Sequence, residues 1–147
     1  MEMVVSGDPI MDGNDSRKAT RVLVVEDEPS ARDAMQRFLQ FCGYSVTVAA
    51  SSDEAIRQAR STPPDVVVCD WKLDGERSGT SEVNGADGVD TAVDLQHRYR
   101  MAVILVTAHQ LDELKAKARL TDLDVSAYRR KPLSLTRLAN DIALVAT

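Results

Sequence analysis

Three short runs, "RVLVVE" (21–26), "PDVVVCD" (64–70) and "MAVILVT" (101–107), constrain the folds open to this 147-residue chain more than any other feature. Each is nearly continuous in apolar residues and rich in β-branched ones, the pattern of strands buried on both faces of a parallel sheet. Parallel strands need crossover connections, and segments of helical period lie between the runs. Ala31, Ala34, Met35, Phe38 and Cys42 share one face of a predicted helix that opens at Pro29 and Ser30, carries Asp33 near its positive end and stops at Gly43. "SSDEAIRQAR" predicts a second helix with a serine or aspartate cap, ended before Pro63 and Pro64. Val89, Ala92, Val93 and Gln96 mark a third, Leu111, Leu114 and Ala118 a fourth, and Leu135, Leu138, Ala139, Ile142 and Val145 a fifth. "YSVTVA" alternates and "SAYRRK" is short and charged, so these two predict edge strands. The expected class is α/β: a doubly wound, five-stranded parallel sheet with five helices. With strands 1, 3 and 4 central, its order is 2-1-3-4-5.

A hydrophobic content of 44% is enough for one domain with its own core, placed at 20–147. Residues 1–19 mix Gly, Pro, Asp, Asn and Ser without a sustained period and read as a flexible extension. Cys42 and Cys69 match neither a metal-ligand spacing nor a disulfide framework, and both are expected in or near the core of a cytoplasmic protein. A net charge of -5 with no basic stripe argues against direct binding of nucleic acid. No apolar run approaches the roughly 20 residues needed for membrane insertion. The first eighteen residues lack the basic and apolar regions of a signal peptide.

In the order 2-1-3-4-5 the switch point lies between strands 1 and 3, and ligands bind at their carboxyl ends. Strand 1 ends in Glu26, Asp27 and Glu28, and strand 3 in Asp70. Neighbouring strands are only about 5 Å apart, so at least two of these carboxylates converge. Converging carboxylates repel; one takes up a proton or the set holds a cation, for which Mg²⁺ with its oxygen ligands and waters is the best match. Strand 4 adds the Thr107 hydroxyl, and strand 5 adds the Lys131 ammonium followed by Pro132. Carboxylate nucleophile, metal, hydroxyl and ammonium are the parts that phosphoryl transfer requires. "EDEPS" after strand 1 offers no glycine-rich phosphate loop, which disfavours nucleotide binding. Singly, each part has a plainer reading as a solvated loop acid, a helix-capping threonine or a surface lysine. Their joint placement on four strand ends is what points to chemistry.

"VLVVEDEPSAR", "DVVVCDWKLDG", "VILVTAH" and "AYRRKPLS", in this order, resemble the acidic loop, phosphoacceptor strand, switch strand and lysine-proline turn of response-regulator receiver domains of bacterial two-component signalling. The resemblance covers residues 21–146 and implies a flavodoxin-like fold. It makes Asp70 the phosphoacceptor in a Mg²⁺-dependent reaction. The metal would be held by Asp70, Asp27, the Lys72 carbonyl and, through water, Glu26. Thr107 and Lys131 would contact phosphoryl oxygens, with the Lys131-Pro132 peptide cis. Tyr128 would be the aromatic that follows Thr107 in switching, although an edge-strand aromatic covering the sheet explains it equally well. Lys72 and His109 occupy the positions that tune the lifetime of the acyl phosphate.

Two departures from the family pattern stand out. Asp74 lies where proline is frequent, and the pair Asp87 and Gly88 comes about ten residues late, which predicts a loop insertion at about 75–86. The implied function is a switch phosphorylated by a sensor histidine kinase or a histidine phosphotransfer protein. It would catalyse its own phosphorylation and dephosphorylation without multiple turnover, and signal to an output protein through its helix 4, strand 5 and helix 5 face. Thr147 follows the fifth predicted helix directly, so the unit is expected either to act alone through protein contacts or to belong to a longer chain. Two alternatives stay open: a pseudo-receiver that only binds partners, and an aspartate-dependent phosphohydrolase. The latter resembles the haloacid dehalogenase family, which needs a second aspartate where this chain has Lys72.

Overall fold

A computed structural model describes residues 19–71, 88–107 and 124–146. In chain order the elements are β1 (Arg21–Val25), α1 (Pro29–Phe41), β2 (Ser45–Ala49), α2 (Ser52–Ser61), β3 (Val66–Trp71), α3 (Gly88–Tyr99), β4 (Ala102–Thr107), β5 (Ala127–Arg130) and α4 (Leu135–Val145). The strands form one parallel sheet in the order β2-β1-β3-β4-β5, as the apolar runs require. Most of the expected extension, the fourth predicted helix, the 75–86 insertion, Lys72 and His109 lie outside the described residues. The fifth predicted helix is therefore α4.

Each central strand sends alternate side chains to opposite faces, and each face has its own core. Val22, Val24, Val66, Val68, Ile104 and Val106 meet Met35 and Leu39 of α1 and Leu138 and Ile142 of α4. Leu23, Val25, Val67, Cys69, Val103 and Leu105 meet α2 and α3 on the other side. There the fully buried residues of α2 are Ala55 and Ala59, small enough to bring its backbone close to the sheet, with Ile56 packed beside them partly buried. This two-sided burial holds the strand ends rigidly side by side.

The helix ends follow local chemistry. The Glu28 side chain caps α1, accepting from Ser30 N and Ala31 N, and Pro29 takes the first turn, where no N–H is needed. Gly43 closes α1 at φ 101°, with Tyr44 N donating to Leu39 O and Gly43 N to Gln40 O. Ser51 caps α2 by accepting from Glu54 N, and Glu54 reaches back to Ala50 N at 2.8 Å. No described helix is long and apolar enough to cross a membrane.

The expected face of α1 needs correction. Its buried residues are Met35 and Leu39, with Phe38 partly buried, whereas Ala34 and Cys42 are exposed. Cys42 is the C-cap, at the very end of the helix, and is exposed there. Of the two cysteines only Cys69 is in the core. On α3, Gln96 serves as a polar clamp: its amide donates to Met101 O and Asp124 O and accepts from Asp124 N at 2.8–3.0 Å.

Candidate functional site

The ladder between β1 and β3 ends at Val25 and Cys69, so Glu26 and Asp70 are the next residues of adjacent strands. With Asp27 they form a cluster whose carboxylate oxygens lie within 4.8 Å of one another. Glu26 is almost wholly enclosed at 1% exposure, the Asp70 carboxylate is 7% exposed, and Asp27 is open to solvent. Lys131, at the end of β5, reaches in from the far side. Its ammonium is 2.9 Å from Asp70 Oδ1 and 3.6 Å from Glu26 Oε1. The Lys131-Pro132 peptide is cis, and Lys131 N donates to Thr107 O at 2.8 Å.

The electrostatics reflect two enclosed carboxylates, Glu26 and Asp70, sharing the Lys131 ammonium. Burial first, and then the charge of Asp70, raise the Glu26 carboxyl above its ordinary value, against the lowering influence of the Glu28 N–H and Lys131. Burial works to lower Lys131, but its contact with Asp70 and the charge of Glu26 outweigh it, and the ammonium is held above its ordinary value. Glu26 Oε1 and Asp70 Oδ1 are both buried and accept no directed hydrogen bond, Lys131 being the cation that faces them. Excess negative charge, hard oxygen donors and two such oxygens aimed into one pocket are a fit for Mg²⁺.

Four of the residues read from the sequence thus meet here: Glu26, Asp27, Asp70 and Lys131. Thr107 is at the same level of the sheet, paired in register with Trp71 and 2% exposed. Tyr128, in register with Leu105, is half-buried against the core shared by α2 and α3, and that burial pushes its phenol up.

Sequence reasoning missed two groups. Arg32 donates from Nη1 to the carbonyls of Glu26 and Asp27, at 3.1 and 3.4 Å. Arg129 of β5 forms a two-pronged pair with Asp141 of α4, Nε to Oδ2 at 2.5 Å and Nη2 to Oδ1 at 2.7 Å. A signal existed for the second: Asp141 falls three residues after Leu138, inside the apolar stripe of its helix, where an acid needs a partner.

Comparison with known proteins gives the family and the fold. Residues 22–143 match the family described as response regulator receiver domain. The transcriptional regulatory protein PdtaR of Mycobacterium tuberculosis is 28% identical over 134 residues, covering 90% of this chain and 60% of PdtaR. The alkaline phosphatase synthesis transcriptional regulatory protein PhoP of Bacillus subtilis is 30% identical over 115 residues, covering 78% of this chain and 43% of PhoP. The chain therefore spans only about half the length of these curated relatives. Among solved structures, the signal receiver domain of a modulated diguanylate cyclase from Desulfovibrio desulfuricans G20 is 27% identical. It superimposes with a TM-score of 0.71, over 88% of this chain and 94% of that one. With a family match from β1 into α4 and acids gathered at the strand ends where that family keeps its acidic pocket, the chain belongs to the response regulator receiver domains of two-component signalling.

Proposed function

We propose that the chain is a phosphorylation switch in which Asp70 takes a phosphoryl group from a phosphohistidine on a sensor histidine kinase or phosphotransfer protein. The observation that carries this reading is the convergence of Glu26, Asp27 and Asp70 within 4.8 Å, with the Lys131 ammonium 2.9 Å from Asp70. An Asp70 oxygen attacks phosphorus, the P–N bond breaks, and its electron pair returns to the imidazole nitrogen, leaving an aspartyl phosphate. Burial of Asp70 in a strand flanked on both sides keeps that oxygen in one orientation, as in-line attack requires.

Asp27, Asp70, the Lys72 carbonyl and, through water, Glu26 would hold Mg²⁺, which when bound supplies positive charge to the phosphoryl oxygens. Lys131, paired with Asp70 at rest, passes to a phosphoryl oxygen of the product, and Thr107 donates to another. Because Lys131 N is bonded to Thr107 O and β5 is joined to α4 through Arg129 and Asp141, a shift at the pocket is felt along β5 and α4. An output protein reads that face, with the segment of the fourth predicted helix and with Tyr128 following Thr107. Lys72 and His109 set how fast water removes the phosphoryl group and regenerates the Asp70 carboxylate.

The test is transfer from a small-molecule donor such as phosphoramidate. Incorporation of one phosphoryl group per chain that needs Mg²⁺ and disappears in Asp70→Asn is expected. Equal incorporation in Asp70→Asn would remove Asp70 from the mechanism, and sustained turnover of phosphomonoesters would indicate a phosphohydrolase instead.

A further inference from the structure

The β1 ladder stops at Val25, paired with Ala49 on one side and Cys69 on the other. The carbonyls of Glu26 and Asp27 lie past it, and Glu26 is buried, so its backbone groups need protein partners. Its N–H donates to Ala49 O at 3.0 Å, and its carbonyl accepts from Arg32 Nη1 at 3.1 Å. Its Oε2 accepts from Glu28 N at 3.1 Å. All of the polar atoms of Glu26 but one are thus engaged in holding the turn, and the remaining one, Oε1, faces Lys131 at 3.6 Å. The same Arg32 nitrogen lies 3.4 Å from Asp27 O, so one guanidinium spans both residues of the acidic turn.

Arg32 is well placed for this. Its N–H makes the first helical bond of α1, to Glu28 O at 2.9 Å, and helical side chains lean toward the N-terminus, back over the turn. A guanidinium placed to balance charge would take a carboxylate as its stronger partner. Arg32 forms no ion pair among the described residues and bonds backbone carbonyls instead. Its geometry is that of a brace on the turn.

We infer that Arg32 is a positioning residue for Mg²⁺ binding, fixing the Glu26 and Asp27 backbone so that both carboxylates point into the pocket; this rests on reading that pocket as a metal site. Two effects of the side chain oppose each other. Its positive charge repels the metal, but Arg32 is only partly buried and water screens that repulsion. Loss of a group that orients metal ligands commonly weakens binding 10- to 100-fold, so the brace outweighs the repulsion.

Calorimetric titration of the full chain with Mg²⁺ tests this. Arg32→Met, which keeps the side chain's bulk, is expected to weaken binding about tenfold, and Arg32→Lys, whose ammonium can reach a carbonyl, to recover part of the loss. Adding Arg32→Met to Asp27→Asn should weaken binding little further, because both changes act on one turn. The metal-free melting temperature should move little. Unchanged or tighter binding in Arg32→Met, or a full extra tenfold loss on top of Asp27→Asn, would overturn the inference; should Arg32→Met fail to fold, unchanged affinity in Arg32→Lys together with a lowered melting temperature would do the same. Wild-type protein that does not bind Mg²⁺, or Asp27→Asn that binds as well as wild type, would refute the metal site itself and the inference with it.

Discussion

Glu26 carries an electrostatic conflict: it is a carboxylate at 1% exposure beside Asp70 and Asp27, and it shares Lys131 with Asp70. Its pKa in the folded protein is raised above the ordinary 4.5, so folding favours its protonated form. The stability this group contributes to the metal-free protein is fully present below about pH 4.5 and is lost as pH rises through the raised value. Chemical denaturation without Mg²⁺ should therefore find Glu26→Gln more stable than wild type at pH 7 and the difference gone at pH 4. Saturating Mg²⁺ should narrow the gap at pH 7, because the ion binds the ionised form and stabilises only the folded state. A wild type more stable than Glu26→Gln at pH 7 without metal would contradict the assigned strain.

Two backbone positions make a second test at this scale. Arg100, just after α3, has φ 56°, and Gly43, just after α1, has φ 101°. A left-handed conformation costs an ordinary residue about 1–2 kcal/mol. Arg100→Gly relieves that strain but loses roughly 0.4–1 kcal/mol to the greater freedom of glycine in the unfolded chain. A net gain of about 0.5–1 kcal/mol is expected from these two terms. At Gly43 an added Cβ would meet no atom within 4 Å, so the cost of Gly43→Ala, about 1 kcal/mol, comes from backbone strain alone. Opposite signs in the two denaturation midpoints are the expected result.

Among elements, the join between β5 and α4 is the one on which the proposed output face depends, because Lys131 and Pro132 connect the two. Arg129 and Asp141 make that join, but unequally: the Asp141 side chain is 8% exposed and that of Arg129 31%. Removing the arginine strands a buried carboxylate, whereas removing the aspartate leaves a guanidinium that can turn to water. Arg129→Leu is thus expected to cost about 3 kcal/mol or more and Asp141→Leu clearly less, with the double variant close to wild type. Equal single losses that add in the double variant would show that the pair is not a unit. This join was only half legible in the sequence. An acid inside the stripe of Leu138, Ile142 and Val145 was visible, but its partner lay on a strand whose "AYRR" carries no burial pattern of its own. The α1 face was misread at Cys42 for a related reason, since a helical period says which residues share a face and not how far along the helix that face stays covered.

At the scale of the whole molecule, the topology follows from three apolar runs, because strands buried on both faces must sit in the middle and the remaining two at the edges. That order alone brings the ends of β1 and β3 together, which is why Glu26, Asp27 and Asp70 could be grouped before any coordinates. Arg32 could not, because its contact depends on the path of the turn it braces and not on any period or motif. Under the proposed function this gathering of acids makes Asp70 a phosphoryl acceptor. Treating the chain with phosphoramidate and Mg²⁺, reducing with borohydride and mapping peptides by mass spectrometry tests it most directly, since reduction converts an aspartyl phosphate to homoserine. Homoserine at position 70, formed only with Mg²⁺ present, is expected; homoserine at another acid, or none at all in folded wild-type protein, would contradict it.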